Sequence, residues 1–203
     1  WSREQILEEH AFVLELEEHD LSVVSPIIDS QGRTLQEFEG FWFAVFPRRG
    51  GRSPDLDLDT LEIMGRALGK LHGIAAEKAF VHRQELSVAT FAQASVDYLL
   101  ENDFIPPDLL PAYTTLARDL LVRVEQIFKE RKGYANIRLH GDCHPGNVLW
   151  RDEVPHFVDF DDAMTGPAVQ DFWMLLSGSR DQQQAQLSAL MEGYDTFYTF
   201  KPS

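Results

Sequence analysis

Apolar residues at Ile6, Phe12, Val13 and Leu16 recur at helical spacing, and Ser2 with Gln5 three positions on forms a capping-box signature ahead of them. The pattern predicts a helix running to about Glu18. At about 100° per residue, Glu4, Glu8 and Glu15 share one face and are expected in water. Glu9 instead falls among Ile6, Phe12, Val13 and Leu16. A carboxylate there either bends to water from an edge or meets a buried cation, and the wheel alone leaves both open. Residues 22–28 and 34–38, separated by Ser30-Gln31-Gly32, read as a hairpin. Residues 41–46 are apolar on both faces and predict a central strand. Pro47-Arg48-Arg49-Gly50-Gly51-Arg52 then breaks the pattern. The expected division therefore runs between residues 1–46, sheet plus one helix, and residues 47–203, mostly helix.

The second part opens on a helix expected to be capped by Asp59 and Glu62, with Leu61, Met64, Leu68, Leu71 and Ala75 as its apolar stripe. His72, inside that stripe, reads as a core histidine with a satisfied ring. Residues 90–100 and about 107–132, the latter ended by Gly133, predict two further helices. Short apolar runs at 137–139, 148–150 and 156–160 predict strands, and 169–176 and 182–197 predict two closing helices. This is an α+β pattern without internal repeats.

Composition changes the picture in three ways. The 203 residues carry 33 Asp+Glu against 18 Lys+Arg, a formal net charge of -15, which argues against binding a nucleic-acid backbone. No apolar run approaches the ~18 residues of a membrane span, and a single cysteine, Cys143, suits a reducing, cytoplasmic location. The chain opens on Trp1 rather than Met, as expected of a piece of a longer protein.

The candidate chemistry lies in His140-Gly141-Asp142-Cys143-His144-Pro145-Gly146-Asn147 and in Phe157-Val158-Asp159-Phe160-Asp161-Asp162. Arg151-Asp152-Glu153 is a natural hairpin turn between the two segments. A turn centred near Glu153 sets Asn147 about opposite Asp159, and cross-strand Cβ atoms lie roughly 4.5–5.5 Å apart. An amide oxygen and a carboxylate at that spacing can share a hard divalent cation, with places left for phosphate oxygens. Asp142 would stand beside that metal as a base, so the arithmetic points to metal-assisted phosphoryl transfer.

H-G-D-x-x-x-x-N followed by a strand ending in V-D-F resembles the catalytic loop and metal site of the protein-kinase-like fold, in its aminoglycoside phosphotransferase and choline kinase branch. The longer string through G-P-A-V-Q-D-F-W-M-L-L, with E-E-H-x-F and F-A-V-F-P-x-x-G-G-R upstream, resembles the bacterial stress-response Ser/Thr kinases of that branch. The resemblance implies a partial small lobe over residues 1–46 and a helical large lobe carrying a catalytic-loop hairpin. It implies Asp142 as the base, Asn147 and Asp159 as Mg²⁺ ligands, and Val45, Phe46 and Pro47 as adenine-binding backbone of ATP. Glu9 matches the glutamate that pairs with the nucleotide-binding lysine, and Asp171 matches an aspartate bracing the catalytic loop. A cytoplasmic monomer acting on a protein or on a small hydroxyl-bearing molecule such as an aminoglycoside, choline or homoserine is the expectation.

The sequence departs from that family at its ends. No Gly-rich hairpin and no lysine precede the first helix; the lysines are Lys70, Lys78, Lys129, Lys132 and Lys201. The chain as written is expected to transfer phosphate poorly, since positioning the phosphates is most of this chemistry. Two other readings stay open here: a zinc hydrolase using His140, Asp142, His144 and Asp159, and a kinase-like binding module without activity.

Overall fold

The computed structural model describes residues 1–130 and 135–200. By contacts the described chain falls into two units, one made of Trp1–Arg83 with Asn136–Phe200 and one within Gln84–Ala135.

In the first unit, helix α1 (Arg3–Glu18) starts at the expected capping box: Ser2 accepts from the Gln5 amide, and the Gln5 side chain accepts from the Ser2 amide. Phe12, Val13 and Leu16 are buried, and so is Glu9. Strands β1 (Gln36–Phe38) and β2 (Phe41–Phe43) pair through a two-residue turn, Glu39-Gly40, with φ of 50° and 82°. Both values are left-handed, as a tight hairpin matching strand twist requires. The expected hairpin between 22–28 and 34–38 is therefore not formed. Residues 22–27 spend their backbone groups elsewhere: Phe157 N donates to Ser22 O, Val24 N to Phe157 O and Ile27 N to Val45 O. Asp29 folds the intervening loop by accepting from the Gln31 and Arg33 amides at 2.8 Å. The expected central strand over 41–46 is also corrected. Its strand part is β2 alone, and Phe41 is 77% exposed. It pairs on one side with β1, and its aromatic residues are open to solvent.

Helix α2 (Leu58–Ala75) buries the whole expected stripe. Its cap is Asp57, which accepts from the Thr60 amide, rather than Asp59. Helix α5 (Arg180–Tyr194) packs along it. The contact is close because α2 presents glycine at Gly65 and Gly69 and α5 at Gly193. A Cβ at Gly65 would overlap the Leu190 carbonyl, and one at Gly193 the Glu62 carbonyl. Strand β3 (Asn136–Leu139) pairs antiparallel with β6 (Met164–Pro167), a strand the apolar pattern does not announce because Thr165, Gly166 and Pro167 fill it. Strands β4 (Val148–Arg151) and β5 (Val154–Phe157) form the third two-stranded sheet. The helix expected over 169–176 is instead two 3₁₀ turns, Ala168–Asp171 and Trp173–Leu175.

The second unit holds a π-helical turn (Val88–Gln93) capped by Ser87, then α3 (Ala94–Glu101) and α4 (Leu110–Glu130). The expected end of α4 at Lys132-Gly133 lies outside the described residues. Among the described residues no helix is long and apolar enough to cross a membrane.

The glycine contact gives a test with its own control. In an open helix Gly→Ala stabilises by about 1 kcal/mol, whereas forcing atoms into a packed contact costs about 1–3 kcal/mol or more. Gly65→Ala and Gly193→Ala should each destabilise by about 2 kcal/mol in urea denaturation. At Gly73 the nearest atom to an added Cβ is 3.8 Å away. Gly73→Ala should leave stability unchanged or raise it by up to about 1 kcal/mol; equal losses at all three sites would refute the close-contact account.

Candidate active site

The 140–147 loop is fastened from below by one carboxylate. Asp171 is fully buried, and it accepts from the His140 amide (2.9 Å), the Gly141 amide (2.9 Å) and His72 Nε2 (3.0 Å). Burial alone would raise its pKa, but the His72 and backbone donors outweigh burial and hold it below the usual carboxylate range. His72 meets the Tyr194 hydroxyl through Nδ1 at 2.8 Å, so its ring is satisfied on both sides as expected. Gly141 has φ +90° and lies against the Asp162 carbonyl with no room for a Cβ. His140 donates from Nε2 to Val158 O at 2.9 Å and packs its ring 4.4 Å from that of Phe160, tying the loop to the end of β5.

On this base Asp142 and Asn147 come into contact. The Asn147 amide nitrogen donates to the Asp142 carbonyl (3.0 Å) and to Asp142 Oδ2 (3.1 Å), which directs its Oδ1 away as an acceptor. His144 lies 3.5 Å from Asp142 Oδ2 through Nε2, while its Nδ1 accepts from the Gly146 amide. The hairpin register differs by one residue from the expected one. Asp152 and Glu153 both take left-handed φ, 52° and 59°, so the turn is centred between them and Arg151 pairs with Val154. Val158 N then donates to Asn147 O, and Asp159 falls one residue further on with φ +64°. Burial and the neighbouring Asp161 carboxylate push Asp159 up, and burial with Asp161 and Asp142 pushes up Asp162. These acids form a cluster with an excess of negative charge.

A cavity of about 410 Å³ adjoins the cluster, lined by Glu9, His10, Val13, Val24, Ala44, Phe46, Val158, Asp159 and Phe160 among others. Phe46 is thus on its wall; Pro47 is not, and the Val45 carbonyl is already bonded to the Ile27 amide at 2.7 Å. Glu9 is 7% exposed and carries the largest rise among the carboxylates, to about 7. Burial causes most of it, the Arg83 guanidinium opposes it, and Asp161 and Asp159 add to it.

The cation facing Glu9 among the described residues is Arg83, whose Nη1 stands 3.7 Å from Glu9 Oε2. Sequence reasoning missed it, because a lone arginine in the turn after α2 has no local signature. The face assigned to water is corrected too. Glu8 accepts from the Val81, His82 and Arg83 amides, and Glu15 pairs with Arg138 (2.7 Å) and Lys78 (2.8 Å). Arg138 is buried and also donates to the Ile74 and Ala75 carbonyls, closing the open end of α2.

Asn147 and Asp159 would offer one amide and one carboxylate oxygen, donors that suit a hard cation such as Mg²⁺ better than zinc. Among the described residues no three His, Cys, Asp or Glu side chains are grouped to hold a metal alone, and His140 and His144 use ring nitrogens on loop backbone. That geometry is the reason to set aside the zinc hydrolase.

The chain is 40% identical over 201 residues to stress response kinase A of Escherichia coli (strain K12) and to that of Shigella flexneri, covering 98% of this chain and 60% of theirs. A serine/threonine protein kinase RdoA of Salmonella typhimurium is 39% identical over the same length. The chain thus spans about 60% of the curated relatives it matches. Among solved structures, the amicoumacin kinase hAmiN in complex with AMP-PNP, Ca²⁺ and Ami superposes with a TM-score of 0.78 at 20% identity, over 98% of this chain and 64% of that one. Spectinomycin phosphotransferase APH(9)-Ia, in complex with ADP and its drug, gives 0.65 at 16% identity, over 93% and 63%. These likenesses establish the α+β, protein-kinase-like fold. The phosphotransferase enzyme family model matches residues 1–202, and with the braced loop, the hairpin and the acidic cluster all falling inside that match, the chain belongs to the phosphotransferase enzyme family.

Proposed function

We propose that this chain carries the catalytic centre of an ATP- and Mg²⁺-dependent phosphotransferase that moves the γ-phosphoryl group of ATP to a hydroxyl, with Ser/Thr of a protein as the acceptor. The observation that carries the reading is the contact of Asp142 with Asn147 on a loop braced by Asp171, one strand pair away from Asp159. Residues 1–46 serve as the small-lobe side of the nucleotide cleft and residues 47–203 as the large-lobe side. Names of the relatives supply the protein acceptor; the acidic surplus of -15 favours a second reading, a cationic small molecule bearing a hydroxyl. A cytoplasmic location is part of the proposal.

Asn147 Oδ1 and the Asp159 carboxylate would hold Mg²⁺, which when bound neutralises charge on the ATP phosphates. Asp142 orients the acceptor hydroxyl and takes its proton as the oxygen–phosphorus bond forms and the bond to the ADP oxygen breaks. The apolar wall of Val24, Ala44, Phe46 and Val158 receives the adenine. Glu9 would pair with a cation at the phosphates; burial raises its pKa even with the Arg83 guanidinium opposing, so a further positive charge there favours its ionised form.

Tests use the longest reading frame that carries this chain. Asp142→Ala should lower phosphoryl transfer by about 10²–10⁴-fold and leave Mg-nucleotide affinity within about twofold. Asn147→Ala and Asp159→Ala should weaken Mg-nucleotide binding as well. Turnover at the parent rate in Asp142→Ala would sink the base assignment. Radiolabelled ATP separates the acceptors: label on protein bands supports the first reading, label on soluble amines or alcohols the second.

Glu9 makes a pH prediction for the 203-residue chain. Its folded pKa of about 7 lies above the ordinary 4.5, so the folded state holds the extra proton. That contribution is complete below about pH 4.5 and is lost as pH rises through about 7. Glu9→Gln should therefore match the parent near pH 4 and exceed it by on the order of 3 kcal/mol at pH 8. Denaturant melts at both pH values check this, and a constant difference would remove the buried-carboxyl account.

A further inference from the structure

Arg83 has a side chain with no exposed surface, and two of its nitrogens donate to the chain segment that follows Asp159. Nε donates to the Ala163 carbonyl at 2.6 Å, and Nη2 donates to the Asp161 carbonyl. Nη1 reaches the Gln5 carbonyl on α1 at 3.5 Å and faces Glu9, while the Trp1 ring covers the guanidinium 4.3 Å away. The backbone beneath is equally fixed: Glu8 accepts from the Val81, His82 and Arg83 amides at 2.5, 2.8 and 2.7 Å. One side of α1 thus grips the 81–83 turn, and the arginine of that turn grips the loop.

Asp161 and Asp162 are exposed, but Ala163 is buried, and enclosing a guanidinium beside it is expensive unless its donors are matched. The planar fork meets that demand by binding the two carbonyls that flank Asp162, which fixes the chain direction two and four residues after Asp159. Asp159 holds a left-handed φ of 64°, which aspartate tolerates better than most residues, so its pose depends on how the segment after it is held.

We propose that Arg83 is a positioning residue: its guanidinium fork ties α1 to the Asp161 and Ala163 carbonyls and so holds Asp159 in the pose that takes Mg²⁺ with the nucleotide. This rests on the phosphotransferase reading. Charge and geometry predict opposite signs, which makes the role measurable. Glu9, Asp161, Asp162 and Glu8 are the charged groups that feel Arg83; as a charge alone Arg83 repels Mg²⁺, and its removal would tighten metal binding. As a strut, its removal loosens Asp159 and weakens metal binding.

The experiment titrates Mg²⁺ into the longest reading frame carrying this chain, with a non-hydrolysable ATP analogue, for the parent, Arg83→Gln and Arg83→Lys. Arg83→Gln should need about tenfold more Mg²⁺ for half-saturation, with metal-free analogue affinity within about twofold. An unchanged or lower Mg²⁺ requirement overturns the proposal. Arg83→Lys keeps the charge and loses the fork, and should still need about threefold more Mg²⁺; full rescue by lysine overturns the fork, and this variant decides the matter if Arg83→Gln does not fold. Hydrogen exchange without metal or nucleotide gives an independent reading at the Ala163 amide, which donates to Phe160 O at 2.9 Å. Exchange there should be about tenfold faster in Arg83→Gln, and unchanged exchange rejects the strut. A parent protein that binds no Mg-nucleotide sinks the phosphotransferase reading, while the exchange result still decides the strut.

Discussion

The ionised carboxylate of Asp171, shut away from water, is the constraint on which the rest of the first unit turns. Removing such a charge from water costs several kcal/mol, and only matched donors offset that. Here the donors come from three places: a side chain of α2, and two successive amides of the 140–147 loop. His72 passes the connection on to Tyr194 at the end of α5. The same helix pair approaches closely enough to make this reach possible because glycine stands at Gly65, Gly69 and Gly193. Helix packing and loop position are therefore solutions to one problem, and neither can shift without exposing an unpaired charge.

A second fastening acts on the far strand of the hairpin. Phe12 of α1 meets Phe160 edge-on at 5.9 Å, and Phe160 packs on His140, so apolar contacts run from α1 to the loop through the segment after Asp159. Glu8 and Arg83 add a polar route between the same parts. The proposed base thus rests on the Asp171 anchor, and the proposed carboxylate ligand rests on α1. Between them the β4–β5 ladder sets their spacing, and its register is fixed by Asp152 and Glu153 in left-handed turn geometry.

What the sequence disclosed was local or contained in a contiguous motif. The capping box at Ser2 and Gln5 and the apolar stripe of α2 depend on neighbours within a few residues, and both formed. The H-G-D and V-D-F strings carried the family and the fold, and the family match spans residues 1–202. Partners far apart in sequence were not legible. Glu15 meets Arg138 across 123 positions, and Arg83 meets the loop across about 80, so a helical wheel assigned Glu15 to water and left Glu9 unexplained. Strand β6 escaped because its Thr, Gly and Pro carry little β propensity, and its pairing with β3 supplies what propensity does not. The hairpin slipped by one because turn centring depends on which residues take positive φ, a choice that Asp152 and Glu153 both permit.

Cys143 follows directly from the loop's burial. It is the one cysteine in 203 residues, fully enclosed, and burial together with the Asp171 and Asp142 charges pushes its thiol well above the ordinary range. A thiol that is neither ionised nor reachable is silent toward alkylating reagents while the loop stays closed. Its labelling rate consequently works as a native clock for loop opening, read one residue away from Asp142 without any engineered probe.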